Sequence, residues 1–139
     1  MKKILIVDDK AAVTTLYRKI IEADGRHEVF TENSGGRAVE AARMCRPDLI
    51  ILDILMPDVL GSEIAAELRA DPALAHTKVV FDTALLQRGE EEKACEAVGG
   101  YMIIAKPISG KDLLSAIDLA LGSPVGYPDS NRTTFDQHR

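Results

Sequence analysis

The run Leu49-Ile50-Ile51-Leu52 contains no polar residue, and Asp53 follows it directly. A strand with one wet face alternates apolar and polar residues. An unbroken apolar run of this length instead describes a strand covered on both faces, as in a parallel sheet between two layers of helices. Met56-Pro57 and Gly61 then stop the strand and force a turn. Asp53 is thereby a carboxylate lifted out of a hydrophobic layer into a loop. A lone Asp in such a place is ordinarily a turn or helix-capping residue, so its meaning depends on what the other strand ends carry.

The rest of the chain repeats the pattern. Residues 3–7 form a short apolar strand ended by Asp8-Asp9, and Val13, Leu16, Tyr17 and Ile20 then recur at helical spacing up to Asp24-Gly25. Residues 27–32 read as a more polar strand, suited to a sheet edge. Ser34 with Gly35-Gly36 opens a second helix, with Ala38, Ala41, Ala42 and Cys45 inward and Pro47 as its stop. A third helix, residues 61–70, turns Ile64, Ala65 and Leu68 inward and halts at Asp71-Pro72. Residues 78–82 make a fourth strand with Thr83 at its exit, 88–98 a fourth helix, and 101–105 a fifth strand ending at Lys106-Pro107. Ser109-Gly110-Lys111-Asp112 is a capping-box signature for a last helix carrying Leu113, Leu114, Ile117, Ala120 and Leu121. Five strands alternating with five helices predict a doubly wound α/β fold with a five-stranded parallel sheet. Residues 1–122 form one domain. From 123 to 139 the composition turns to Gly, Ser, Pro, Asn and Asp, which reads as a flexible tail or linker stub.

Composition removes several classes of function. With 17 basic and 22 acidic residues the net charge is -5, which gives no bulk attraction to nucleic acid or anionic membranes. No segment reaches transmembrane length, and the short apolar start runs straight into Asp8-Asp9, so a cytoplasmic protein is expected. Cys45 and Cys95 lie far apart without metal or redox spacing and are expected as buried free thiols.

In a parallel sheet every strand exit lies on one edge, the edge at which open α/β sheets bind ligands. Here the exits carry Asp8-Asp9, Asp53, Thr83 and Lys106. Capping and turn roles explain each singly but do not explain all of them on the same edge. Clustered carboxylates repel by roughly 4 kcal/mol per pair at 4 Å in a partly screened setting, so the cluster calls for a cation. All-oxygen donors without His or Cys suit Mg²⁺. A carboxylate can also accept a phosphoryl group as an acyl phosphate, whose oxygens need metal, ammonium and hydroxyl partners. Asp8 and Asp9 are candidates for the metal, Asp53 for the acceptor, and Lys106 and Thr83 for the phosphoryl oxygens.

In combination, Ile-Val-Asp8-Asp9, Leu-Asp53-Ile-Leu-Met-Pro57 followed by Gly61, Thr83-Ala84 and Lys106-Pro107 make the chain resemble a response-regulator receiver domain of two-component signalling, from Lys2 to about Leu121. The resemblance implies a flavodoxin-like sheet in the order 2-1-3-4-5 and a signalling module, not an enzyme. It implies phosphorylation of Asp53 by a sensor histidine kinase or phosphotransfer protein. Asp9 and Asp53 would ligate Mg²⁺ directly with the backbone carbonyl of Leu55, Asp8 would act through water, and Thr83 and Lys106 would bind the phosphoryl group. The Lys106-Pro107 bond would be cis. Output would pass to a protein target through the face of the fourth helix, fifth strand and fifth helix, with a phosphorylation-dependent dimer as one form of it.

Three departures stand out. Ile103 occupies the position where the family usually has an aromatic ring that swings as the Thr moves, and Tyr101 is on the same face but displaced; a muted switch is expected. Leu55 and Leu85 cannot orient a water, so slow self-dephosphorylation is expected. Asp82 stands where an apolar residue is usual, and its charge has no sequence explanation. The rival readings are a receiver belonging to a larger hybrid kinase or regulator, and a pseudo-receiver that only binds partners. A dehalogenase-type phosphatase would need Asp-x-Asp after the first strand, and a flavodoxin-type carrier a phosphate loop where Asp8-Asp9 would repel the ligand.

Overall fold

The computed structural model describes residues 1–84, 101–106 and 108–122. The expectations for Leu85, the helix over 88–98, Cys95, the bond to Pro107 and the tail over 123–139 lie outside those residues. The elements are β1 (Lys2–Val7), α1 (Ala11–Asp24), β2 (His27–Glu32), a 3₁₀ turn (Gly35–Arg37) running into α2 (Ala38–Cys45), β3 (Leu49–Asp53), α3 (Gly61–Ala70), β4 (Lys78–Thr83), β5 (Met102–Ala105) and α4 (Gly110–Leu121). The strands pair in parallel in the order β2-β1-β3-β4-β5. This is the flavodoxin-like order, with the polar strand β2 at an edge as its composition predicted. The chain reverses its direction of travel across the sheet between β1 and β3, which opens a crevice at their carboxyl ends.

Alternation along the strands builds two separate cores. Ile4, Ile6, Leu49, Ile51, Val80, Met102 and Ile104 face α1 and α4, meeting Tyr17, Ile21, Leu113 and Ile117. Leu5, Val7, Ile50, Leu52, Val79, Phe81 and Ile103 face α2 and α3, meeting Ala42, Ile64 and Leu68. All five residues of β3 are buried, as the apolar run demanded. Each fully buried Leu or Ile contributes about 1.5–3 kcal/mol relative to exposure.

Two local expectations need correction. The stripe that α1 buries is Thr14, Tyr17 and Ile21, with Val13 and Ile20 only partly covered and Leu16 exposed. The stripe is rotated because α1 must cover α4 as well as the sheet. Ser34 makes no side-chain cap, because the chain enters α2 through the 3₁₀ turn. Cys45 is a free, half-buried thiol at the margin of the α2/α3 core, and burial raises its pKa. Other boundaries follow the expected chemistry: Gly25 ends α1 with φ 79°, and the Ser109 hydroxyl accepts from the Asp112 amide at 3.1 Å to start α4. No helix among the described residues is long and apolar enough to cross a membrane.

Candidate functional site

Strand alternation decides which side chains meet. Asp8 continues the row Ile4-Ile6, Asp53 the row Leu49-Ile51, Asp82 follows Val80, and Lys106 follows Met102-Ile104. All four therefore rise from the α1/α4 face of the sheet. Asp9 and Thr83 continue the opposite rows, Leu5-Val7 and Val79-Phe81. Register supports the grouping, since Asp53 and Asp82 are direct partners across β3 and β4.

The Lys106 ammonium lies at the centre. Its Nζ is 2.6 Å from Asp8 Oδ2, 3.6 Å from Asp53 Oδ1 and 4.0 Å from Asp82 Oδ1. Its position is fixed from behind, because the Lys106 amide donates to the Thr83 carbonyl at 2.8 Å and ties the exits of β4 and β5 together. Asp8 is held at both oxygens: Oδ1 accepts from the Lys10 amide at 2.9 Å and Oδ2 from Lys106. The Asp8 carbonyl accepts from Asn33 Nδ2 at 2.8 Å, which anchors the turn after β1.

Asp53 is 4% exposed. Its pKa is raised, chiefly by burial and further by Asp8 and Asp9, against the lowering effect of Lys106 and of the Leu55 amide that donates to the carboxylate. The loop that presents it is held by an antiparallel bridge between Leu55 and Leu60 and by the Gly61 amide donating to the Ile54 carbonyl at 2.8 Å. Gly61 is required there, because a Cβ would stand 2.6 Å from the Asp53 carbonyl oxygen. Leu55 itself is 44% exposed, at the rim.

Asp82 joins this cluster although nothing in the sequence motifs assigned it a part. It is 1% exposed; one oxygen accepts from the Tyr17 hydroxyl at 2.9 Å, while the other is buried without a hydrogen bond. Burial pushes its pKa up to about 7, with Asp8 and Asp53 adding to the rise and Lys106 and the Tyr17 bond opposing it. Burial and the Asp82 charge raise the Tyr17 phenol in turn. Burial alone would lower the Lys106 pKa, but Asp82, Asp8 and Asp53 outweigh it and the pKa is raised.

Asp8, Asp53 and Asp82 can each bring an oxygen within 4.8 Å of the others, an acid cluster able to hold a metal ion. The centre of that trio is, however, the seat of the Lys106 ammonium. A fourth acid, Asp9, acts on Asp53 through its charge, and its Oδ1 is buried without a hydrogen bond. An all-oxygen donor set with such an orphaned carboxylate oxygen fits Mg²⁺, which binds one or two carboxylates and keeps waters.

Of the residues singled out from sequence, Asp8, Asp53 and Lys106 thus meet directly. Thr83 is buried at the adjacent strand exit, and Asp9, on the opposite row, acts on Asp53 through its charge. Ile103 is buried in the α2/α3 core. Tyr101 is not placed to replace a swinging ring: its hydroxyl accepts from Arg69 Nε at 2.8 Å, and its ring sits edge-on to Phe81 with centroids 5.5 Å apart. Sequence reasoning missed Tyr17 as a site neighbour. It is the one residue of the α1 stripe with an apolar body and a donor at its tip, a combination that calls for a buried acceptor.

Comparison with known proteins agrees with this geometry. The model of the response regulator receiver domain matches residues 4–118. The polar-differentiation response regulator DivK of Brucella anthropi is 38% identical over 125 residues, 87% of this chain and 97% of that protein. Among solved structures, the Vibrio cholerae chemotaxis protein CheY4 superposes with a TM-score of 0.75 at 28% identity, covering 86% of this chain and 98% of that one. A CheY-like response regulator receiver domain protein from Methanospirillum hungatei gives 0.74 at 27% identity, with 87% and 94% covered. With its strand order, its acid cluster and its match over most of its length, the chain belongs to the response regulator receiver family of two-component signalling.

Proposed function

We propose that the chain is a phosphoacceptor switch: Asp53 takes a phosphoryl group from a histidine kinase or phosphotransfer protein and the altered surface is read by a protein target. In the transfer an Asp53 carboxylate oxygen forms a bond to phosphorus while the donor's phosphorus–nitrogen bond breaks, the electron pair leaving with the imidazole. Lys106 serves the incoming oxygens, because its ammonium is already 3.6 Å from Asp53. Thr83, buried at the end of β4, supplies the hydroxyl partner. Asp9, Asp53 and the Leu55 carbonyl would hold Mg²⁺, with Asp8 acting through water, since both Asp8 oxygens are engaged by Lys10 and Lys106. The metal's contribution when bound is to neutralise charge on the phosphoryl oxygens.

The observation that carries this reading is the convergence of a buried acceptor carboxylate and an ammonium from distant strand ends. Incubation with acetyl phosphate and Mg²⁺, followed by intact mass, should add one phosphoryl group to the protein and none to the Asp53→Asn variant. Undiminished labelling of that variant would sink the assignment. The same assay separates a pseudo-receiver, which would take no label.

Two finer features follow. Leu55 offers no group to orient water, so the acyl phosphate hydrolyses slowly, and a Leu55→Asn variant should shorten its half-life. With Ile103 packed in the core and Tyr101 pinned by Arg69, the response on the face that includes β5 and α4 is muted relative to a receiver with a mobile aromatic ring. A large rearrangement of that face on phosphorylation would contradict this.

A further inference from the structure

The Lys106 ammonium serves three carboxylates, and for one of them it is the one compensating charge among the described residues. Asp8 has the Lys10 amide and Asp53 the Leu55 amide as further donors. Asp82 has the Tyr17 hydroxyl on one oxygen; its other oxygen is buried without a hydrogen bond, 4.0 Å from Lys106 Nζ. The other two charged groups that act on it among the described residues, Asp8 and Asp53, have the same sign as its own. Asp82 thus depends on the ammonium that the phosphoryl oxygens would use.

We propose that Asp82, anchored by Tyr17, is a positioning residue that shares the Lys106 counter-charge with the acceptor and biases the site toward the divalent cation and against the phosphoryl anion. The inference rests on the phosphoacceptor reading and deepens it. Both halves follow from one charge. An additional buried carboxylate raises the attraction for a cation placed beside Asp53 and Asp9, and it repels an anion built on Asp53. When the phosphoryl oxygens draw Lys106 toward themselves, Asp82 loses its counter-charge, so the anion must overcome that loss too. Tyr17 cannot relieve it, since its single proton is already given to the far oxygen.

The test uses opposite signs. Asp82→Asn keeps the size and an acceptor for Tyr17 while removing the charge, and the smaller Asp82→Ser also removes the charge should the Asn variant fail to fold. At roughly pH 8.5, where the wild-type carboxylate is ionised, calorimetric titration with Mg²⁺ alone should show affinity reduced at least about threefold in the variant. Under saturating Mg²⁺ the rate of labelling by acetyl phosphate should rise at least about threefold. Tyr17→Phe, which leaves the Asp82 carboxylate without its one hydrogen bond, should move both quantities in the same directions as Asp82→Asn but by less. A merely structural role would lower both together; that result, or no change in either, overturns the proposal. Wild-type protein that takes no label would instead overturn the phosphoacceptor reading.

Discussion

The two ends of the sheet use charged residues in opposite ways. At the amino ends of the strands, Asp48 accepts from the Lys3 amide at 2.8 Å and its carbonyl accepts from the Lys78 amide at 3.1 Å, clamping β1, β3 and β4. Nearby, Arg69 donates to the carbonyls of Ala75 and Thr77 and to the Tyr101 hydroxyl, each at 2.8 Å. His27, buried there without a hydrogen bond on either ring nitrogen, has its pKa lowered, chiefly by desolvation. At the carboxyl ends, Asp8, Asp53 and Asp82 crowd one ammonium, and buried oxygens of Asp9 and Asp82 have no hydrogen bond. Apart from His27, the side chains at the amino ends are matched to backbone partners and hold the fold, whereas at the carboxyl ends the carboxylates outnumber the ammonium between them.

If that contrast is right, acidity should stabilise the carboxyl end most. Asp82 titrates near 3.8 when unfolded and about 7 when folded, so between those values the native state binds more protons and stability falls as pH rises. Loss on the order of 4 kcal/mol across that window is expected without metal. His27, with a lowered pKa, works in the opposite direction near its ordinary 6.5. The difference in pH-dependent thermal unfolding between wild type and Asp82→Asn isolates the Asp82 part; parallel curves would break the comparison. Arg69→Ala at the other end should cost about 3 kcal/mol in urea unfolding, from three lost hydrogen bonds to a charged donor. It should leave phosphoryl labelling of the folded protein unchanged.

Mg²⁺ at a hundred times its dissociation constant should add about 2.7 kcal/mol to stability. Asp9→Asn should remove most of that gain without weakening the metal-free protein, which unfolding with and without the metal will measure. The smallest effect sharpens the contrast most. Asp53→Asn should stabilise the metal-free protein by about 1 kcal/mol, because it removes one repelling charge while Lys106 keeps other partners. Destabilisation would mean that Asp53 is a structural anchor like Asp48.

The layer order and most element boundaries were legible because they follow from hydrophobic periodicity: Leu49-Ile50-Ile51-Leu52, stopped by Met56-Pro57, reads as a doubly covered strand. The acids Asp8 and Asp53 and the base Lys106 were legible because strand ends in a parallel sheet share an edge. Asp82 was harder, since its meaning lies in register, which depends on how β3 and β4 align rather than on either strand alone. Counting alternation back from Val80 would have placed it on the same face as Asp53. The rotation of the α1 stripe was not legible at all, because it is set by α4, nearly a hundred residues away in the chain.

The glycine after the acceptor loop has a practical corollary for anyone mapping tolerance along this chain. At Gly61 the determinant is a missing atom: adding one methyl group would shove the backbone that carries Asp53, although the residue's own polar contribution there is its amide. A saturation scan scored by signalling would flag that position as strongly as the acid itself, and only a parallel measurement of folding would tell a displaced scaffold from a lost reagent.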